Sequence, residues 1–244
     1  MKAMIFAAGK GTRLGNITIS NPKALVELNG KTALRLAVER CKEFGFDDIL
    51  VNVHHFAEMV EEEVERLEKE GYKITVSDER LKLLETGGGL YKARDFFDYK
   101  PFLLYNVDIV TDLDLGALYN FHQEKKGLAT LAVRHRPGNR FLLVDREGLL
   151  KGWRNKATAE EIIIDRAHGL LTEIAFSGIH IVDPEIFNYM NDGVYTMTTL
   201  YLKLAKHNKI NTYLDDGGYW GDIGTPESLN AARSMSKSPE RPNK

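Results

Sequence analysis

The sequence predicts an α/β fold with a mostly parallel central sheet, and two observations carry that prediction. Short apolar runs alternate with helical patterns through the first half of the chain. Strands separated by helices imply parallel βαβ units, whose crossovers lay helices over both faces of a sheet. The first apolar run also feeds a glycine-rich, basic stretch, FAAGKGTRLG at residues 6–15. Backbone amides in such a loop can cradle phosphate oxygens.

In chain order, the strand candidates are residues 3–8, 48–53, 72–77, 101–106 and 128–133. Between them, Leu34, Ala37, Val38, Cys41 and Phe44 share one helical face, and Val60, Val64 and Leu67 share another. Glu61, Glu62, Glu63 and Glu65 then fall on the water-facing side of that second helix. RFLLVDREGLLKGW (140–153) reads as two strands about a turn at Arg146-Glu147-Gly148, and residues 173–182 as a further strand. Asp183-Pro184 starts a helix with proline in its first position. Met197, Leu200 and Leu204 mark another helix, and Thr225-Pro226 caps a last one. No repeat or linker divides the chain, so a single domain is expected, its second half folding over the first sheet.

Composition narrows the function. The 244 residues suffice for a full hydrophobic core, and 43% hydrophobic with 28% charged residues is ordinary for a soluble globular chain. A net charge of −2 gives no basic field for nucleic acid or an anionic membrane. The lone Cys41 lies on an apolar helix face, as buried core, and excludes an internal disulfide framework. The run Met4 to Ala8 is shorter than the ~7 residues of a signal-peptide core, and nothing approaches the ~18 of a membrane span. A cytoplasmic monomer or small homo-oligomer is expected.

The opening stretch fails two common phosphate signatures. Gly30-Lys31-Thr32 ends like an ATPase phosphate loop, but Leu25 sits where the first glycine belongs. A dinucleotide fingerprint needs glycine at position 14, which is leucine, and a helix where Pro22 stands. What remains is a strand and a long loop with Arg13 inside it and Lys23 returning nearby. Arginine pairs with phosphate bidentately and lysine acts as a point charge.

AAGKGTRL (7–14) followed by PKALVELNGKT (22–32) resembles the nucleotide-binding signature of the sugar-1-phosphate nucleotidyltransferases. The resemblance continues through LLETGGGL (83–90), LLYNVDIVTDLDL (103–115), FSGIHI (176–181) and WGDIGTPESL (220–229), in family order from end to end. It implies a three-layer Rossmann-like nucleotidyltransferase fold with a mostly parallel central sheet. It also implies one domain over 1–233, with a nucleotide-binding part of about 1–125, a sugar-binding part of about 126–233 and a flexible tail at 234–244.

The family reaction joins a sugar 1-phosphate to a nucleoside triphosphate and releases pyrophosphate. A phosphate monoester, with a second pKa of ~6, carries nearly two negative charges at neutral pH, so no histidine or serine nucleophile is required. Catalysis then rests on positioning and positive charge. By resemblance, Asp108 and Asp222 hold Mg2+, which favours one or two carboxylates plus substrate oxygens and water. Ala8, Gly9, Gly11, Thr12 and Arg13 hold the triphosphate together with Lys23, and Arg13, Lys23 and Asp108 form the catalytic set. Glu85, Thr86, Gly87 and Gly88 match the loop that reads the base. Asn106, Arg140, Arg154, Asn155, Lys156 and Gly178 are the sugar-phosphate candidates. Relatives often read Glu-Lys-Pro near residues 154–156, and often carry glycine where Val107 stands. His54-His55 lacks metal-ligand spacing and reads as structural.

LETGG at 84–88 is similar to the short uridylyltransferases of cell-wall recycling that use N-acetylmuramic acid 1-phosphate. Mannose-1-phosphate guanylyltransferases commonly show Leu-Gly-Thr-Ala-Gly there. UTP is therefore expected, with GTP and mannose 1-phosphate as the alternative. Arg134, Arg136 and Arg140 would suit the sugar's lactyl carboxylate. A catalytically silent nucleotide-binding subunit should have lost Arg13, Lys23 or an aspartate, and all four are present. A nicotinamide oxidoreductase is disfavoured by the failed fingerprint. Without hexapeptide repeats, no fused acyltransferase domain is expected.

Overall fold

A computed structural model describes residues 1–165 and 169–235. Strand β1 (Lys2–Phe6) leads into short 3-10 helices at Thr12–Thr18 and Lys23–Leu25, then a small ribbon of β2 (Glu27–Leu28) and β3 (Lys31–Thr32). Next come α1 (Ala33–Glu43), β4 (Asp48–Val53), α2 (Ala57–Lys69), β5 (Lys73–Asp78) and α3 (Glu85–Lys92). They are followed by β6 (Phe102–Asn106), β7 (Ile109–Thr111), α4 (Leu115–Lys125) and β8 (Ala129–Arg134). The second half holds β9 (Arg140–Val144), β10 (Leu150–Asn155), β11 (Glu160–Ile163) and β12 (Thr172–Val182). It ends with α5 (Met197–Leu204), β13 (Ile210–Leu214), β14 (Trp220–Asp222) and α6 (Pro226–Met235).

The central sheet runs β5-β4-β1-β6-β12-β8-β13. All its strands point the same way except β12, which is antiparallel to both neighbours. The first part of β12 also pairs with β9, from which β10 and β11 extend. The second half therefore continues the first sheet edge to edge rather than folding over it. A register shift between Phe176 and His180 lets one strand serve both neighbours. Gly178 sits in that bulge at φ +81, a left-handed conformation costly for other residues.

Period-2 alternation along β1 divides the core. Ala3 and Ile5 pack with α1, α2, α4 and α6, while Met4 and Phe6 face α3, α5 and the 3-10 helix at Pro184–Tyr189. Three layers result, as predicted. Burying each Val, Leu or Phe contributes about 1.5–3 kcal/mol, whereas exposed ion pairs contribute about 0–1. The stability lies in these two apolar faces. Cys41 is fully buried, and desolvation pushes its thiol up to about 12.

Several expectations need correcting. Glu63 does not face water: it is 3% exposed, accepts from the Thr32 hydroxyl at 2.9 Å and lies 3.7 Å from the Arg35 guanidinium. The reason is Thr32, which caps α1 and draws the carboxylate inward. Asp183-Pro184 opens a 3-10 helix rather than an α-helix. Elements α4, β7, β11, β13 and β14 were not anticipated. Residues 236–244 lie outside the described residues, whereas Ser234 and Met235 close α6 rather than opening a tail.

His180 is buried on the α5 face, where its Nδ1 shares a hydrogen bond with the Tyr201 hydroxyl. Desolvation pulls its imidazole down to about 3, whereas an unfolded chain takes up that proton near pH 6.5. Between those values the unfolded state binds one more proton, so stability falls as the pH drops through that window. His122, lowered by burial and partly restored by Asp183, adds to the same slope. Urea unfolding from pH 7 to 4 should show the loss, and His180→Gln should flatten it; an equal slope in the variant would refute the assignment.

Candidate active site

Parallel α/β sheets bind ligands beyond the carboxyl ends of their strands. Here β1 runs out into Ala7-Ala8-Gly9, and β6 into Val107-Asp108. Two cavities open at this edge and share Asn106 and Asp108. The first, of about 380 Å³, is lined by Ala8 to Thr12, Lys23, Asn52, Leu83, Glu85, Thr86 and Val107. The second, of about 650 Å³, is lined by Arg13, Asp222, Arg136, Arg140, Trp153, Phe176, Ser177, Gly178 and Trp220.

A short antiparallel ribbon brings the two aspartates together. β7 pairs with β14 so that Asp222 lies opposite Ile109, and the Ile223 N–H donates to the Asp108 carbonyl at 2.9 Å. Lys23 forms an ion pair with Asp108 Oδ2. Asp222 Oδ1 accepts from Gly224 N–H at 2.8 Å and from Ser228 Oγ at 3.2 Å. A β-carbon at Gly224 would sit 2.9 Å from both the Arg13 guanidinium and Asp222 Oδ1, so Arg13 and Asp222 flank one turn.

The donor set fits magnesium. Lys23, Gly224 and Ser228 occupy one oxygen of each aspartate, and the remaining two have no protein partner among the described residues. Two carboxylates beside a phosphate-sized cleft suit a hard cation that completes its shell with substrate oxygens and water.

Arg136 is the most confined cation of the larger cavity. Its guanidinium stacks 4.3 Å from the Trp220 ring centre and donates to the Phe176 carbonyl at 3.2 Å. Trp220 is itself fixed by its Nε1–H to the Ser177 carbonyl at 2.8 Å. Burial pulls Arg136 below its ordinary pKa, with Arg134 adding to that and Asp222 opposing it. Arg136 Nε and Ser177 Oγ are both buried without a protein partner, the condition in which a bound ligand or water completes the bonding.

Most sequence candidates converge here. Ala8, Gly9, Gly11, Thr12, Lys23, Glu85, Thr86, Asn106 and Asp108 line the smaller cavity, and Arg13, Arg140, Gly178 and Asp222 the larger. Arg13 thus faces the larger cavity rather than the loop it belongs to. Val107 lines the smaller one and donates its N–H to the Phe6 carbonyl at 3.2 Å.

Two groups depart from expectation. Gly87 and Gly88 line neither cavity; they are buried in α3, and their N–H groups bond the Tyr195 carbonyl at 2.8 and 3.3 Å. Their missing side chains serve helix docking, since a β-carbon at Gly88 would lie 2.0 Å from the Gly193 carbonyl oxygen. Arg154, Asn155 and Lys156 are not brought to either cavity. Arg154 is held by Glu161 and Glu173, Lys156 by Glu173, and the Asn155 side chain accepts from the Ala157 N–H. Those two glutamates satisfy the cations on the strand itself. Likewise Arg134 is buried with a bond to the Gly218 carbonyl at 2.8 Å. His54 bonds the Glu79 carbonyl through Nδ1 at 2.8 Å, and His55 packs on Phe56. The residues that sequence reasoning missed are Lys10, Asn52, Ser177 and the aromatic wall of Trp153, Phe176 and Trp220. The sequence signals were one amide inside an apolar strand and two tryptophans in a chain that has only two.

A layered α/β sheet with a two-part polar cleft at its carboxyl edge is the architecture of a nucleotide-handling enzyme. The chain belongs to the nucleotidyl transferase family, whose description it matches over residues 2–238, and the family resemblance read from its sequence is borne out. The N-acetylmuramate alpha-1-phosphate uridylyltransferase of Caulobacter vibrioides is 28% identical over 246 residues, 95% of each chain. The UTP–glucose-1-phosphate uridylyltransferase of Synechocystis is 33% identical over 208 residues, with 79% of this chain covering 52% of that one. The mannose-1-phosphate guanyltransferase of Schizosaccharomyces pombe is 27% identical, with 93% of this chain covering 62% of it. The chain therefore spans nearly all of the first relative but only about half to three fifths of the other two. Among solved structures, HddC from Yersinia pseudotuberculosis in complex with GMP-PN superposes with a TM-score of 0.78 at 20% identity, covering 97% of this chain and 99% of that one. The inositol-1-phosphate CTP transferase of T. maritima gives 0.77 at 16% identity, covering 97% and 95%. These two share the fold.

Asp222→Asn keeps the Oδ1 acceptor for Gly224 and Ser228, so the fold should survive while metal-dependent turnover falls by roughly 100-fold or more. Asp108→Asn should do the same. Circular dichroism and a pyrophosphate-release assay test both, and full activity in either variant would remove that residue from the metal site.

Proposed function

We propose that this chain transfers the uridylyl group of UTP to N-acetylmuramic acid 1-phosphate in the cytoplasm, with Mg2+ as its metal. The coarser reaction, nucleotidyl transfer to a sugar 1-phosphate, is the one that the relatives' names share. The observations that support the finer choice are the LETGG stretch at 84–88 and the likeness to the Caulobacter uridylyltransferase over 95% of the chain. The triphosphate would occupy the smaller cavity, built from about residues 1–125. The sugar would occupy the larger one, against Trp153, Phe176 and Trp220. The alternative, GTP with mannose 1-phosphate, has the Schizosaccharomyces relative in its favour.

An oxygen of the sugar phosphate forms the new bond to the α-phosphorus, the α–β bridging bond breaks, and pyrophosphate leaves with the electron pair. The attacking monoester is already nearly dianionic, so no general base is needed. No histidine lines either cavity among the described residues. Bound Mg2+ would supply charge to the α-phosphate and the departing pyrophosphate. The chain's own work is to hold two polyanions in line. Lys23 and the amides of Gly9 to Thr12 face the triphosphate, while Arg13 and Arg136 face the incoming phosphate. Preorganised cations in a partly dry cleft are worth more than the same charges in water.

Thermal melting with Mg2+ and UTP, GTP, CTP, ATP, dTTP or NADH separately tests the nucleotide. Saturating UTP should raise the melting temperature by roughly 5–10 °C, through preferential binding to the native state. A shift with GTP alone would replace the uridylyl reading by the mannose one, and no shift with any triphosphate would overturn both. Arg136→Ala should raise KM for the sugar 1-phosphate roughly tenfold and leave the triphosphate KM nearly unchanged. Arg154→Ala should alter neither; a larger loss in Arg154→Ala would return the sugar phosphate to that strand.

A further inference from the structure

Behind the smaller cavity lies a polar chain that no step of the reaction uses directly. Asn52 interrupts the buried run of β4, Glu79 follows β5, and both are 2% exposed. Asn52 Oδ1 accepts from the Ala7 N–H at 2.8 Å, at the first residue of the phosphate loop. Its Nδ2 donates to Glu79 Oε1 at 2.8 Å. Glu79 Oε2 in turn accepts from the Leu84 N–H at 3.1 Å, directly before Glu85 and Thr86. The Glu79 backbone is pinned as well, through its N–H to the Val53 carbonyl at 2.8 Å and through its own carbonyl to the Lys82 N–H at 3.0 Å. Gly89 of α3 closes over the carboxylate; a β-carbon there would lie 2.6 Å from Oε1. Glu79 has no ion-pair partner among the described residues, so a carboxylate is buried on hydrogen bonds alone.

We infer that Asn52 and Glu79 are positioning residues that fix the separation between the phosphate loop (7–12) and the base-side segment (83–86), so that one nucleotide can engage both. The inference rests on reading the smaller cavity as the triphosphate site. Bond direction is what makes the relay specific. Ala7 and Leu84 both present N–H donors, so the pair between them must offer an acceptor at each end. Asn52 and Glu79 do this with one amide NH2 shared in the middle. Flipping Asn52 would set its NH2 against the Ala7 N–H. Glu79→Gln must set an NH2 against either Asn52 Nδ2 or the Leu84 N–H, leaving a buried donor unpaired. A ligand spanning two fixed segments gains from effective concentration, and that gain disappears when their spacing loosens. Each segment alone should bind its own half of the nucleotide as before.

The test compares Glu79→Gln with the wild type by calorimetric titration of UTP, and of inorganic tripolyphosphate as a probe of the phosphate loop alone. GTP replaces UTP if the melting panel favours it. In the variant, the Kd for the nucleotide should rise about tenfold or more while that for tripolyphosphate stays within about twofold. In steady state, KM for the triphosphate should rise and KM for the sugar 1-phosphate should not. Should Glu79→Gln fail to fold, Glu79→Asp carries the same expectations, because its carboxylate is one methylene shorter and loses reach to Asn52 Nδ2 and the Leu84 N–H. Parallel loss of nucleotide and tripolyphosphate binding would overturn the relay, because it would make the pair a support of the phosphate loop only. Unchanged nucleotide affinity would overturn it too. A wild type that binds no nucleoside triphosphate would instead sink the reading of the cavity, and the relay with it.

Discussion

The three-residue ladder between β7 and β14 holds the active site together, and without it the two carboxylates would belong to unrelated parts of the chain. It sets Asp222 opposite Ile109 and ties Ile223 back to the Asp108 carbonyl. The same ribbon places Trp220, which anchors Arg136 by stacking and Ser177 by its indole N–H. Thr111 reinforces it by donating its hydroxyl to the Tyr219 carbonyl at 2.8 Å. A parallel sheet can present residues from several strand ends, but only at strand spacing. A ribbon folded across that edge can bring a late segment of the chain to a chosen strand end.

Around that ribbon the charges are arranged in opposition. Lys23 is held by Asp108, Arg13 shares a turn with Asp222, and Arg136 sits half-buried with a nitrogen still unpartnered. Lys23 and Arg136 are oriented before any ligand arrives, so little reorganisation remains for the moment when two polyanions meet. The smaller cavity is stiffened differently, by neutral amides and a buried carboxylate behind its wall. The smaller cavity, lined by Lys23 and Asp108, thus adds directional hydrogen bonds to one ion pair, and the larger rests on stacking and backbone bonds around Trp220.

The parts of this arrangement that were legible in the sequence are those with a strong local pattern. The five predicted first-half strands all exist, because continuous apolar runs bounded by turns have few other solutions. The turn at 146–148 and the cap at Thr225 follow from side-chain chemistry acting within a few residues. What was not legible depends on partners far along the chain. Nothing near Arg154 announces that Glu161 and Glu173 will claim it. The triple glycine of α3 reads as a loop until the segment at 193–195 is seen packing on it. Short strands such as β7 and β14 carry no periodicity of their own and exist only as a pair.

The placement of β12 has a consequence in time as well as in space. Strands β5, β4, β1 and β6 all precede β12 in the chain and pair with one another through helical crossovers, but the outer edge of β6 has no partner until β12 is complete. Meanwhile β8, already synthesised, has no neighbour to join, because its place in the sheet is separated from β6 by a strand still to come. A nascent chain therefore carries an unpaired, apolar strand edge, Phe102 to Tyr105, through the synthesis of the whole β9–β11 segment. Exposed edges of that kind invite pairing with other chains. The antiparallel strand that unites the two halves of the sheet is also the one whose arrival covers that edge.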